Sequence, residues 1–118
     1  MSAFAFLISM APDEGAIAFE ASSVIGEALL DGHSAFVFLY EDGVYFGSGL
    51  REIPQGDLDA ATALTGLANH SQCTIVACVT AAERRGLSET SLADGIKLGG
   101  LGEWTEAVIN ADSVVQFK

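Results

Sequence analysis

The sequence predicts an α/β fold: a three-layer α/β/α domain around a mostly parallel sheet of four to five strands. Three observations lead there. Continuous apolar runs, rich in β-branched and aromatic residues, occur at 3–10, 34–40 and 73–79, as in strands buried on both faces. Between them the apolar residues recur at the helical period. Gly and Pro clusters punctuate the boundaries. With 118 residues and no linker, repeat or low-complexity segment, residues 1–118 form a single domain.

Ala3 to Met10 is the first strand, and Ala11-Pro12-Asp13-Glu14-Gly15 breaks it. From Ala16 to Leu30, Ile17, Ala21, Val24, Ile25, Ala28 and Leu29 form an apolar helical stripe, with Glu20, Ser23, Glu27 and Asp31 off it. Gly32 suits the position just past the helix end. Ser34 to Tyr40 is the second strand, which completes a right-handed βαβ unit. Glu41 to Gly49 reads as an exposed loop at the strands' carboxyl edge, carrying Tyr45 and Phe46 near any site there. Asp57 is expected to cap a helix running to about Asn69, with Leu58, Ala61, Leu64, Leu67 and Ala68 inward. Cys73 to Val79 is the third strand, and Ala81 to Arg85 a helical turn closed by Gly86. Ile96-Lys97-Leu98 makes a short strand. A helix from Glu103 to Asn110 turns Leu101, Trp104, Ala107 and Val108 inward, and Ser113 to Phe117 is the last strand.

Composition narrows the function. Five basic against sixteen acidic side chains give a net charge of −11, a field that repels phosphate backbones and anionic membranes. No apolar run is long enough to span a bilayer. Met1-Ser2-Ala3-Phe4 lacks a basic leader region, so a cytoplasmic location with free thiols is expected. Half the residues are hydrophobic, high for a small monomer. Either the sheet is buried on both faces or partner subunits cover apolar surface.

The chemistry centres on Cys78. Side chains alternate along a strand, so Cys73, Ile75 and Ala77 face one way and Thr74, Val76 and Cys78 the other. The Cα atoms of the two cysteines would lie roughly 16 Å apart, too far for a disulfide or a shared metal. Neither a metal nor a cofactor is expected. Cys73 reads as packing. Cys78 sits at a strand's carboxyl end, where ligands collect in open α/β sheets, and is either a nucleophile or a small buried hydrophobe. Arg84 and Arg85 follow closely and could stabilise a thiolate or dock a partner. No His/Asp partner is placed for hydrolysis, so thiolate-only chemistry such as persulfide exchange fits better. His70 suits the dipole at a helix end, and His33 lies at the opposite edge. Gly47-Ser48-Gly49 lacks the ending of a phosphate loop. Ser9-Met10 and Tyr40 stand where a receiver domain needs aspartates, and the acidic 11–15 segment is wrong for a flavodoxin.

The segments Cys78-Val79-Thr80-Ala81-Ala82-Glu83-Arg84-Arg85-Gly86, Leu98-Gly99-Gly100-Leu101-Gly102-Glu103 and Ala111-Asp112-Ser113-Val114-Val115-Gln116-Phe117 resemble the DsrE/DsrF-like sulfurtransferase family, in particular its TusD subunits. Glu20-Ala21-Ser22-Ser23, Leu30-Asp31-Gly32-His33 and Phe38-Leu39-Tyr40-Glu41-Asp42-Gly43-Val44-Tyr45 extend the resemblance along nearly the whole chain, although the stretch from Gly86 to Leu98 is several residues shorter than the TusD pattern. The resemblance implies a DsrE-like fold and a cytoplasmic sulfur-relay subunit. Cys78 would take sulfur as a persulfide from a TusA-like donor and pass it to a TusE/DsrC-like acceptor. It further implies an oligomer, typically a hexamer, with related small subunits, serving tRNA 2-thiouridine synthesis or sulfur oxidation. The other reading is a non-catalytic assembly subunit whose thiol is incidental.

Overall fold

The computed structural model describes residues 1–53 and 59–118. Five strands, β1 (Ala3–Ile8), β2 (Ser34–Leu39), β3 (Cys73–Cys78), β4 (Ile96–Gly99) and β5 (Ser113–Phe117), form one all-parallel sheet in the order β4-β3-β2-β1-β5. Helices α1 (Ala16–Leu30), α2 (Ala60–Thr65), α3 (Val79–Arg84) and α4 (Leu101–Asn110) connect them, with 3₁₀ turns at Glu41–Gly47, Gly66–Asn69 and Glu89–Ser91.

Register sorts the two faces, because paired residues of a parallel sheet share one. One cross-strand row runs Val115, Phe6, Val37, Ile75, Ile96 and is buried from Phe6 to Ile96. The next row, on the opposite face, runs Gln116, Leu7, Phe38, Val76, Lys97 and is exposed at both ends. The asymmetry follows from topology. The crossovers from β1 to β4 all step in one direction and lay their helices on the first face. The return from β4 to β5 steps back and puts α4 alone on the second. Trp104 of α4 stacks on Phe38 there, centroids 5.9 Å apart.

Sequence explains the helix ends. Gly32 and Gly86 have φ of 85° and 77°, which costs a glycine nothing. Each closes a Schellman motif. His33 N donates to Ala28 O and Gly32 N to Leu29 O; Leu87 N donates to Ala82 O and Gly86 N to Glu83 O. The buried stripe of α1 is Ala18, Ala21, Ser22, Ile25, Ala28 and Leu29, so Ile17 lies outside it and is 37% exposed. Small Ala18 takes the inward place, and buried Ser22 is satisfied by donating to Ala60 O at 2.9 Å. The cap of α2 is Asp59, whereas the expected cap Asp57 and inward Leu58 lie outside the described residues. Burial alone would raise the Asp59 pKa. Hydrogen bonds from Thr62 and Arg51, with the Arg51 charge, outweigh it and hold the carboxyl below its usual value.

The segment after β2 is not the exposed loop that its composition suggests. It coils into a 3₁₀ turn whose Val44 and Phe46 are completely buried. Gly43 makes this possible: a Cβ there would run into the Ile8 carbonyl. Leu101 also departs from expectation, being 51% exposed at the start of α4.

Two predictions follow from the packing. Gly43→Ala should destabilise the fold by about 3 kcal/mol, the upper end for overpacking, because backbone must move; thermal melting should fall by roughly 10 °C. The second concerns Cys73, whose thiol is pushed up to about 11 from 9.0 by burial. A raised pKa means the native state holds the proton longer than the unfolded chain. Stability from this group is therefore complete below pH 9 and declines as pH rises towards 11. Melting curves between pH 8 and 10.5 should show a steeper alkaline loss for the parent chain than for Cys73→Ala. Equal slopes would refute it.

Candidate functional site

Cys78 ends β3 and is the N-cap residue of α3, with φ −60° and ψ 121°. Its side chain makes no capping bond and is only 4% exposed. It lies at the floor of a cleft of about 860 Å³. Three segments form the walls: Tyr40, Glu41, Asp42 and Tyr45 after β2; Val79, Thr80, Ala81, Arg84 and Arg85 of and beside α3; Gly100 and Leu101 at the start of α4. All lie at the carboxyl edge of the sheet, as the strand-end reading of Cys78 expects.

The floor is shaped by its neighbours in register. Cys78 pairs with Gly99 of β4. A Cβ on Gly99 would come within 2.6 Å of Val76 Cγ1 and 2.5 Å of Glu103 Oε1. Glycine thus lets the first turn of α4 descend over β4 and leaves the cysteine's flank without a side chain.

The two arginines separate. Arg85 Nε donates to Asp42 Oδ1 at 2.9 Å, and its Nη1 donates to Ala81 O at 3.1 Å. That cation ties α3 to the turn after β2 across the cleft and is already neutralised. Arg84 is exposed and, among the described residues, forms no ion pair. It is the cation left to meet an anion in the cleft. Glu41 adds a strained element: its φ of 48° is left-handed, uncommon outside glycine.

Of the aromatic pair expected beside the site, Tyr45 lines the cleft and Phe46 does not. Phe46 is fully buried in the core, because a 3₁₀ turn sends successive side chains in divergent directions. Cys73 lies at the far end of β3 on the other face, its thiol held protonated by burial. His33 Nδ1 accepts from Ser2 N, and His70 Nδ1 accepts from Gln72 N. Both histidines are engaged in local structure away from the cleft. Sequence reasoning did not single out Tyr40, Asp42 or Gly99. The legible signal was position: each sits at or just past the carboxyl end of a strand beside β3.

Comparison with known proteins agrees with this architecture. The model of the DsrE/DsrF-like family matches residues 2–117. A sulfurtransferase TusD homolog of Vibrio parahaemolyticus is 37% identical, over 69% of this chain and 70% of its own. A DsrE protein of Allochromatium vinosum is 32% identical over 97% of both chains. Among solved structures, the YchN protein of E. coli superposes with a TM-score of 0.80 at 22% identity, covering 99% of this chain and all of that one. MTH1491 of Methanobacterium thermoautotrophicum gives 0.76 at 15% identity over 98% of this chain and 99% of its own. These two speak for the fold alone. With the family model spanning almost every residue and a full-length relative above 30% identity, the chain belongs to the DsrE/DsrF-like family.

Proposed function

We propose that this chain is a sulfur-relay subunit that carries sulfur as a persulfide on Cys78. The observation that supports it best is the cleft itself. The one cysteine at the carboxyl edge lies at the floor of a cleft of about 860 Å³, while the other packs in the core at the opposite end of the strand, its thiol pushed up by burial. The relatives named sulfurtransferases supply the reaction class.

The exchange needs neither metal nor redox partner. The Cys78 thiolate attacks the outer sulfur of a donor persulfide, R–S–SH. The new Sγ–S bond forms as the donor S–S bond breaks, and its electron pair leaves on the donor sulfur as R–S⁻. The product is Cys78 carrying –SH on sulfur, and charge is conserved. A second exchange, with an acceptor thiolate attacking the outer sulfur, returns Cys78 to its starting form. Arg84 is the cation available to the anionic sulfur species. Because Cys78 is 4% exposed, partners must reach it with a slender segment. A TusA-like donor and a TusE/DsrC-like acceptor fit that role, within a homo- or hetero-oligomer of related small subunits. The sheet face covered only by α4 gives such subunits apolar surface to bury: Leu101, Ile109 and Val114 are 51%, 76% and 43% exposed. The pathway is tRNA 2-thiouridine synthesis or sulfur oxidation. With a net charge of −11, the chain works through protein carriers and not by holding tRNA itself.

The decisive measurement is intact mass after mixing with a persulfidated carrier, for each cysteine variant. Cys78→Ser should fold normally and gain no sulfur. Cys73→Ser should gain one sulfur atom while losing about 1–3 kcal/mol of stability to a buried hydroxyl. Loading on Cys78→Ser with none on Cys73→Ser would assign the wrong thiol. Loading on neither, for any carrier, would favour a purely structural assembly subunit. Native mass spectrometry should show an oligomer, alone or with related subunits. A monomer in both conditions would remove the role given to the open sheet face.

A further inference from the structure

Tyr40 occupies the position next to Cys78 in the same cross-strand row. Leu39 pairs with Ala77, and both chains stay extended for one more residue, Tyr40 at φ −125°, ψ 152° and Cys78 at φ −60°, ψ 121°. The ladder also continues on the other side, where Tyr40 N donates to Ile8 O at 2.9 Å. Adjacent strands run about 4.8 Å apart, so the two side chains rise from neighbouring points of one face into one cleft. The Tyr40 ring is held by stacking on Phe38, centroids 6.2 Å apart, and Phe38 in turn stacks on Trp104. Among the described residues its hydroxyl has no hydrogen-bond partner in the protein. The chain has two tyrosines, and both line this cleft.

Length decides what that hydroxyl can meet. A tyrosine side chain reaches well beyond a cysteine's, so the phenol oxygen stands farther out than Sγ. A persulfide adds a second sulfur about 2.05 Å beyond Sγ, towards the phenol's depth.

We propose that Tyr40 donates a hydrogen bond to the outer sulfur of the persulfide on Cys78, a role that rests on Cys78 being the sulfur carrier. The bond stabilises the outer sulfur as –S–S⁻ while the carrier waits. It also draws charge from that sulfur as an acceptor thiolate attacks it. In that step the Sγ–S bond breaks and its electron pair returns to Cys78 Sγ. The tyrosine O–H bond stays intact. The empty thiol, one atom shorter, gains little from the same donor.

That difference is the test. The full-length chain in a Cys73→Ala background is loaded with inorganic polysulfide, whose chain is cleaved by the Cys78 thiolate and leaves as a shorter polysulfide. The pH dependence of alkylation is then measured for the loaded persulfide and for the empty thiol. Tyr40→Phe keeps the ring and its stack on Phe38, so the cleft wall survives. It should raise the persulfide's midpoint by about one pH unit, a tenfold change in ionisation, with the thiol profile unmoved. Replacing Tyr40 by 3-fluorotyrosine, a stronger donor, should shift the persulfide midpoint the opposite way. A persulfide midpoint that ignores both changes overturns the assignment, as does a shift shared equally by thiol and persulfide. A parent chain that takes no sulfur from polysulfide overturns the carrier reading, and Tyr40 loses its ligand with it. Loading without a midpoint shift removes Tyr40 alone.

Discussion

The parallel register of β2, β3 and β4 is the constraint on which the cleft depends. It brings the ends of three strands level, so that the position after Leu39, the end of β3 and the end of β4 form one row: Tyr40, Cys78, Gly99. A shift of one residue in either pairing would send Tyr40 or Gly99 to the opposite face. The register is strongly determined because the neighbouring row, Leu39 and Ala77, is buried without exposed area. Slippage would carry a tyrosine hydroxyl into the core and a leucine out of it. The hydrophobic effect, acting one residue below the site, therefore sets the geometry of the chemistry above it.

Secondary contacts hold the walls in place and contribute little to overall stability. The Asp42–Arg85 pair is exposed on the aspartate side, and such pairs are worth about 0–1 kcal/mol. Its effect is on orientation, since it joins the turn after β2 to the end of α3. The other anchors are backbone ones. Gly43 seats on the Ile8 carbonyl, which also accepts the Tyr40 N–H. At the far end, the Schellman motif at Gly86 turns the chain and buries Leu87. Both walls thus lead back to core positions, and the Asp42–Arg85 ion pair joins them.

How much of this was legible in the sequence depends on the kind of signal. The three central strands were readable because continuous apolar, β-branched runs mark a buried parallel sheet. The shorter edge strands β4 and β5 carry polar residues and left a weaker signal, although β5 was placed to the residue. The α1 boundaries were also legible, since Gly15 and Gly32 both adopt positive φ at its ends. The turn at Glu41–Gly47 was not. A buried 3₁₀ turn has neither the period of 2 nor that of 3.6, so Val44 and Phe46 looked like loop aromatics and aliphatics. In α1 the hydrophobic residues surround much of the helix, so Ile17 and Ala18 compete for the inward place, and only packing selects alanine. At the site, the cysteine at the strand end and the two arginines could be read from position. Which arginine was already paired could not, because Asp42 lies 43 residues from Arg85 in the chain.

The two thiols show the same logic from the opposite direction. They occupy the two ends of one six-residue strand, and both are under 10% exposed. Burial alone does not distinguish them. Cys73 is surrounded by core, where an unpaired thiolate would be poorly solvated, and its proton is retained up to about pH 11. Cys78 is less exposed still but borders a cleft lined by two tyrosines and by Arg84, which forms no ion pair among the described residues. Alternation puts them on opposite faces, and the topology gives those faces different cover: several helices over Cys73's side, one over Cys78's. The return crossover from β4 to β5 is thus what leaves one thiol lining a cleft, and that placement is a consequence of chain connectivity as much as of any residue in the cleft.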